Sequence, residues 1–205
     1  MPTSVQALVR KHRPIWNITV RNPFVTGVHD GTLPREMFDG YLVQAHHLVE
    51  AHFAPTCRLL AAAPRQDRPL LLEGVELLRS EVEWYQRLLA ERGLDPSTPA
   101  RPAILAMRSQ LVALGFEPYV VGIVAFWAQA KTYADAWTSK RPHSGAHRDF
   151  LERWGSRRSG AFARRLGRAA DRAIAGARPR DRDAAEEAFL VVVRHKLAYW
   201  TAALG

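Results

Sequence analysis

The chain has 205 residues, of which 47% are hydrophobic, and this predicts one domain, residues 1–205, with a sizeable core. No apolar run approaches the length needed to cross a bilayer, and the N-terminal segment lacks the apolar stretch of a secretory signal. A single cysteine, Cys57, excludes an intrachain disulfide, so we expect a cytoplasmic protein with no membrane partner.

The formal net charge is +9, and most of the basic excess lies between Lys140 and Arg182. Within that stretch Arg164, Arg168 and Arg172 recur every four residues, which aligns them on one helical face. Aromatic residues do not alternate with these arginines as a base-stacking surface for nucleic acid requires. The pattern therefore favours a solvated or inter-subunit face over nucleic-acid binding.

Helical periodicity runs through nearly the whole chain, and no segment of convincing length alternates as a strand would. In chain order the predicted helices are Val5–Trp16, bent or broken at Pro14; 34–63; Leu70–Glu91; Ala103–Leu114; Pro118 to about Ser139; Ser144 or Gly145 to Trp154; Ser159–Ala177; and a last helix from Asp181 or Asp183 to about Leu204. The sequence therefore predicts an all-α bundle of about eight helices.

The second of these helices is preceded by a predicted sharp turn at Asp30-Gly31. Pro34 suits a first helical turn, where its missing N–H removes no hydrogen bond, and Glu36 then faces the positive end of the helix dipole. Farther along, Gln44, His46, His47 and Glu50 lie among apolar residues. His46 and Glu50 are four residues apart, so they form either an acid/base pair in a cavity or an ion pair on the surface.

Two later helices carry further candidates. Gln129 and Tyr133 interrupt the apolar helix that begins at Pro118, which indicates either the polar end of an aromatic-walled cavity or ordinary core packing. On the same helix Lys131 and Asp135 are spaced for a surface ion pair. Lys196 lies in the apolar run FLVVVRHKLAYW, where it either points inward with a shifted pKa or extends to solvent.

A metal site of the type found in helical bundles is not predicted. Di-metal carboxylate sites use a Glu-x-x-His motif on each of two helices, but Glu50 has Phe53 three residues on. Glu81 and Glu83 have no histidine on their helix, and the last helix offers only His195. We therefore expect no metal and no other cofactor.

A resemblance to the thiaminase II (TenA) family is carried by residues 22–48, NPFVTGVHDGTLPREMFDGYLVQAHHL. The family pattern runs roughly H-P-F-x-x-x-I-x-D-G-T-L-P-x-x-x-F-x-x-Y-L-x-Q-D-x-x-Y. It is matched at Pro23, Phe24, Asp30, Gly31, Thr32, Leu33, Pro34, Phe38, Tyr41, Leu42 and Gln44. The resemblance implies a haem-oxygenase-like all-α bundle around a central pocket, assembled as a dimer or tetramer.

The residues that carry the chemistry of that family are replaced here. Ala45 stands at the position of the aspartate that contacts the pyrimidine ring, and Leu48 at that of the tyrosine three residues on. Ala125 matches the nucleophilic cysteine, Gln129 the tyrosine four residues beyond it, and Lys196 the catalytic glutamate. Hydrolysis needs a group that attacks or activates water and an acid that protonates the leaving ring. The resemblance therefore implies the scaffold without standard thiaminase activity.

The last helix also resembles the pyrroloquinoline-quinone synthase family, in which a Lys-Leu pair is followed by Trp, as at Lys196-Leu197 and Trp200. That family binds an anionic, oxidisable substrate with histidines, an arginine and this lysine, without a metal. The resemblance implies that Lys196 shares a cavity with His46 and His47.

The main hypothesis is a diverged TenA/PqqC-like enzyme that binds a small anionic or heteroaromatic substrate. Lys196 would hold the negative group, and His46, His47 and Glu50 would transfer protons. The predicted substrate-binding residues are Gln44, Ala45, Leu48, Ala125, Trp127, Gln129, Tyr133 and Tyr199. The alternative is a catalytically silent small-molecule-binding or regulatory protein on the same scaffold.

Overall fold

All regular secondary structure in the computed structural model, which describes residues 3–138 and 147–205, is α-helical. Over these residues there are eleven helices: α1 Val5–Lys11, α2 Arg13–Val20, α3 Pro23–Asp30, α4 Arg35–Ala51, α5 Phe53–Ala62, α6 Arg68–Glu91, α7 Pro102–Leu114, α8 Tyr119–Trp137, α9 Arg148–Trp154, α10 Arg157–Gly176 and α11 Pro179–Ala202. The predicted all-α fold is confirmed. The predicted helix end near Ser139 and the predicted start at Ser144 or Gly145 lie outside the described residues.

Two additional breaks and one additional helix explain why the described residues form eleven helices where eight were expected. The predicted break near Pro14 divides α1 from α2 at His12. A second break, at His52, divides α4 from α5, because Pro55 has no N–H to donate to the carbonyl four residues earlier. The third addition is α3, which Asn22 caps by accepting a hydrogen bond from the Phe24 N–H at 2.8 Å.

The predicted turn and the entry to α4 have a clear backbone cause. Gly31 ends α3 with a φ of 69°, a left-handed conformation that a side chain disfavours. Pro34 is the N-cap of α4, and Glu36 lies in the first turn as expected. This turn fixes where the helix that carries Gln44 and the histidines begins.

Two compact units make up the described chain. The first unit takes the residues up to Leu33 and from Val120 onward, and the second is Pro34–Tyr119. In the first unit α11 packs against α2 and α3, and α10 packs against α1; in the second, α4 packs against α5, α6 and α7. The single domain predicted for residues 1–205 stays a prediction.

The core of the first unit is strongly aromatic. The Phe189 ring is stacked on Trp16 and on Trp127, with centroid distances of 5.8 Å and 5.9 Å. All three side chains are buried. In the second unit the buried core includes Tyr41 and Tyr85. These cores hold the helices that carry the candidate site residues.

The surface agrees with the charge pattern. Arg164, Arg168 and Arg172 are exposed on α10, so the predicted stripe is real, although its partner stays a prediction. The Lys131–Asp135 ion pair on α8 is also present, with both side chains partly buried. Within the described residues, no helix has both the length and the apolar composition needed to span a membrane.

A close backbone approach at Gly155 gives a test of this packing. A Cβ placed there would lie 2.8 Å from the Leu151 carbonyl oxygen and closer still to that of Trp137. Because both atoms belong to the backbone, we expect Gly155→Ala to lower the free energy of unfolding by about 1–3 kcal/mol. Chemical denaturation measures this effect.

The matched control is Gly176→Ala in α10. A Cβ at Gly176 would meet no atom within 4 Å, and its backbone is helical. We expect this variant to keep or gain stability, by up to about 1 kcal/mol. Equal unfolding energies for the two variants would contradict the close approach at Gly155.

Candidate functional site

The predicted site residues lie on three helices. On α4, in the second unit, are Gln44, Ala45, His46, His47, Leu48 and Glu50. In the first unit, α8 carries Ala125, Trp127, Gln129 and Tyr133, and α11 carries Lys196 and Tyr199. That the two groups share one pocket stays a prediction.

Lys196 is the most unusual side chain of the first unit. It is 3% exposed, so it points inward rather than to solvent. Its Nζ lies 4.9 Å from the ring centroid of Tyr133, 5.6 Å from that of Tyr199 and 6.0 Å from that of Trp200. We call these four residues the lysine cluster. It contains no acidic side chain.

Burial dominates the protonation of Lys196. Removal from water penalises the ammonium form and lowers the pKa of Lys196 from 10.5 to about 7. No neighbouring carboxylate opposes this effect among the described residues. Near neutral pH the group therefore exists as both cation and amine, and a ligand of either sign of charge would shift that balance.

Gln129 and Trp200, also in the first unit, each carry buried polar atoms that make no hydrogen bond among the described residues. Both amide atoms of Gln129 lack a partner among the described residues, and Gln129 is 5% exposed. The indole N–H of Trp200 likewise lacks an acceptor there. Gln129 lies one helical turn before Tyr133, on the same face of α8. Unsatisfied buried donors and acceptors cost free energy, and such groups are candidates for hydrogen bonds to a ligand.

The other predicted residues of α8 have surroundings typical of a core. Trp127 is 1% exposed and stacks on Trp16 and Phe189. Ala125 is 2% exposed and offers only a methyl group. The substrate-binding roles predicted for Trp127 and Ala125 stay predictions.

In the second unit, Gln44 fastens a loop to α4. Its Nε2 donates to the Pro99 carbonyl at 3.2 Å, and its Oε1 accepts from the Arg101 N–H at 2.8 Å. Both ends of the amide are thus used by backbone between α6 and α7. This geometry favours a positioning role for Gln44, and its predicted contact with substrate stays a prediction.

The histidine pair lies one turn from Glu50. His46 is 5% exposed, and its Nε2 is 3.5 Å from Glu50 Oε1. Burial is the main cause of the lowered pKa of His46; the Glu50 carboxylate raises that pKa and His47 lowers it further. His47 Nε2 lies 2.8 Å from the Thr98 carbonyl oxygen. Ala45 and Leu48, which flank the pair, are buried apolar residues.

Sequence reasoning did not identify two groups that contact the candidate site residues, the Trp200 ring and the Thr98 carbonyl. Trp200 follows Lys196 by four residues, and that spacing alone indicates a shared helical face. The Thr98 carbonyl is 51 residues from His47, and no local pattern predicts such a contact. His195, the neighbour of Lys196, is half-buried, and burial lowers its pKa.

Comparisons with known proteins agree over almost the full chain. The model of the TENA/THI-4/PQQC family matches residues 9–205. A "Probable bifunctional TENA-E protein" from Glycine max is 25% identical over 212 residues, covering 96% of this chain and 91% of that protein.

Solved structures show the same architecture. A TenA homologue from Pyrococcus furiosus has a TM-score of 0.89 at 19% identity, covering 97% of this chain and 98% of that one. A TenA family transcription regulator from Silicibacter has a TM-score of 0.87 at 17% identity, covering 97% and 95%. A putative TenA-like thiaminase from Sulfolobus solfataricus has a TM-score of 0.81 at 18% identity, covering 98% and 95%. At these identities the likeness is one of fold.

Proposed function

Because the chain belongs to the TENA/THI-4/PQQC family, we propose that it is a diverged member which binds a small anionic heteroaromatic molecule at Lys196. The observation that supports this is the buried ammonium group with no carboxylate partner among the described residues. An unpaired buried charge is unfavourable, and a negative group on a ligand would neutralise it. The site would thus be complementary to an anion.

The rest of the lysine cluster supports a planar ligand. Tyr133, Tyr199 and Trp200 surround Nζ with aromatic rings, which stack well on flat heteroaromatic molecules. The Trp200 indole N–H adds a hydrogen-bond donor, and the Gln129 amide adds a donor and an acceptor. None of these atoms has a partner among the described residues. We infer that these groups orient the ligand while Lys196 holds its negative charge.

The residues at three positions matched to the family's chemistry argue against standard thiaminase activity. The positions matched to the family's nucleophile and its catalytic acid hold Ala125 and Lys196, and the position matched to the pyrimidine contact holds Ala45. An alanine methyl group neither attacks nor protonates a substrate. Chemistry in a diverged enzyme would therefore depend on Lys196 or on the predicted proton-transfer residues His46, His47 and Glu50.

A second candidate is a binding protein without turnover. It is favoured by the loss of the nucleophile and of the acid, and a relative of the same fold is described as a TenA family transcription regulator. Incubating the protein with thiamin and with oxidisable heteroaromatic acids, followed by mass spectrometry of the products, separates the two candidates. Measured turnover would reject the silent protein.

The binding proposal predicts a charge preference. Quinoline-2-carboxylate should bind at least about tenfold more tightly than quinoline-2-carboxamide, which has the same shape without the charge. Lys196→Met should abolish this preference. Because Lys196 releases its proton with a pKa of about 7, affinity for the carboxylate should fall as the pH rises above neutrality. Isothermal titration calorimetry measures all three quantities.

Lys131→Met is the matched control for that experiment. Lys131 also lies over an aromatic ring, that of Trp16 at 5.8 Å, but it already has a carboxylate partner in Asp135. We expect this variant to bind the carboxylate as the wild type does. Equal affinity for carboxylate and carboxamide, or unchanged binding by Lys196→Met, would contradict the proposal.

A further inference from the structure

One turn of α4 brings three metal-ligating side chains together in the second unit. His46, His47 and Glu50 each offer one ligand atom, and these three atoms lie within 4.8 Å of one another. His46 and Glu50 share a helical face because they are four residues apart, and His47 follows His46 directly. We propose that these residues bind one divalent first-row transition-metal ion.

His46 has the properties of a ligand without a partner. Its side chain is 5% exposed, and neither ring nitrogen makes a hydrogen bond among the described residues. The contact with Glu50 at 3.5 Å is longer than the usual N–H···O distance of about 2.9 Å. A metal ion would satisfy a nitrogen that the fold leaves unbonded.

His47 is held in the manner of a metal ligand. A carbonyl oxygen only accepts hydrogen bonds, so the 2.8 Å contact with Thr98 requires the proton on Nε2 and leaves the lone pair on Nδ1. Histidine ligands commonly donate their second nitrogen to a backbone carbonyl, which fixes the tautomer and the ring orientation. The loop that supplies this carbonyl is itself fastened to α4 by Gln44, through Pro99 and Arg101.

The ligand set indicates which ions fit. Two imidazoles and one carboxylate suit Zn²⁺, Co²⁺, Ni²⁺ or Fe²⁺, whereas Mg²⁺ and Ca²⁺ prefer oxygen ligands. Three protein ligands leave at least one coordination position for water or another small ligand. The Glu50 side chain is 48% exposed, which gives an ion access from solvent.

This arrangement differs from the di-metal sites considered in the sequence analysis. It is a single-ion site on one helix, and a search for Glu-x-x-His motifs on two helices does not find it. It also competes with the proton-transfer role predicted for His46, because a bound metal would occupy the lone pair which that role needs. Metal binding therefore decides between the two roles.

The test uses untagged protein that carries Cys57→Ser, since Cys57 is an exposed thiol on α5 that would bind metals by itself. Equilibrium dialysis against Zn²⁺, followed by elemental analysis, should give one ion per chain. His46→Gln and Glu50→Gln should each weaken binding at least about tenfold, because each removes a ligand. Co²⁺ should give visible d–d absorption bands that both variants lose.

Controls come from residues of the same types outside the cluster. Glu36→Gln changes a carboxylate in the first turn of the same helix, and His195→Gln changes a half-buried histidine in the other unit. Both should bind Zn²⁺ normally, and so should Lys196→Met, which makes this test independent of the proposed ligand site. Circular dichroism checks folding, and the exposed position of Glu50 keeps the test valid even if His46→Gln unfolds. Binding below one ion per chain, or binding unchanged in Glu50→Gln, would overturn the proposal.

Discussion

Lys196→Met is expected to stabilise the folded protein at pH 7 while it removes the proposed ligand site. Moving the pKa of a lysine from 10.5 to about 7 corresponds to a cost of about 5 kcal/mol for holding the ammonium in the fold. Methionine is of similar length, is apolar and adapts to irregular space, so most of that cost should be recovered. Chemical denaturation of both proteins at pH 7 measures the gain in the free energy of unfolding.

The pH dependence gives the sharper signature. The unfolded chain keeps the Lys196 proton up to about pH 10.5, and the folded chain releases it near pH 7. Between these values the unfolded state binds more protons, so wild-type stability rises with pH, by up to about 1.4 kcal/mol per unit. The methionine variant lacks this contribution. Its advantage should be constant below about pH 7 and should shrink to nearly zero by about pH 10.5.

Lys131→Met again serves as the comparison, because Lys131 is partly exposed and paired with Asp135. Its difference from wild type should be small and should not shrink over the same pH range. A Lys196→Met variant that is less stable than wild type at every pH would contradict the account, since it would mean that the ammonium group is favourably paired in the fold.

Phe189→Ala should cause a large loss of stability in the first unit. Phe189 is fully buried and lies within 6° of parallel to the Trp16 ring and within 20° of parallel to the Trp127 ring. Removing the ring leaves a cavity beside two tryptophans, which are also in contact with each other, and the expected cost is about 3–5 kcal/mol. Denaturation followed by tryptophan fluorescence reports both the loss and the changed surroundings of the two indoles.

Phe116→Ala provides the contrast. Phe116 is 72% exposed, and its ring contacts the Arg58 guanidinium, with the Arg58 Cζ 4.2 Å from the ring centroid. We expect a loss below about 1 kcal/mol, the usual worth of an exposed cation–π contact. A Phe189→Ala loss as small as this would mean that the stacked rings contribute little to the fold.

The helices follow from the sequence because their causes are local. The Asp30-Gly31 turn follows from the backbone properties of two residues and is confirmed. The boundaries predicted at two prolines are slightly displaced: Pro34 is the N-cap of α4 and not part of its first turn, and the break near Pro14 lies at His12. The break at His52 was missed because Pro55 lies beyond it, among residues that otherwise continue the apolar pattern. A proline acts on the carbonyl four residues before it, which shifts the break upstream of its cause.

The direction of Lys196 was left open by the sequence for a different reason. Residues 189–193 and 197–200 around it are apolar, and only Arg194 and His195 interrupt them, so periodicity does not settle which side of the helix Lys196 takes. The direction of the Lys196 side chain is set only by packing against segments that are distant in the sequence. The loop contacts of Gln44 and His47 likewise join residues 51 to 57 positions apart, which helical periodicity does not address. The residue types of the site were thus visible in the sequence, but their partners were not.

The first unit is built from two segments that are far apart in the sequence, residues up to Leu33 and from Val120 onward, and this affects how it forms during synthesis on the ribosome. Trp16 packs on Phe189, 173 residues later in the sequence. At about 5–20 residues per second, Trp16 is synthesised about nine to thirty-five seconds before Phe189. The second unit, Pro34–Tyr119, is continuous and has all its helices by then. We therefore expect Trp16 to lack its Phe189 contact on the nascent chain until α11 has been synthesised, which leaves an aromatic side chain available to chaperones.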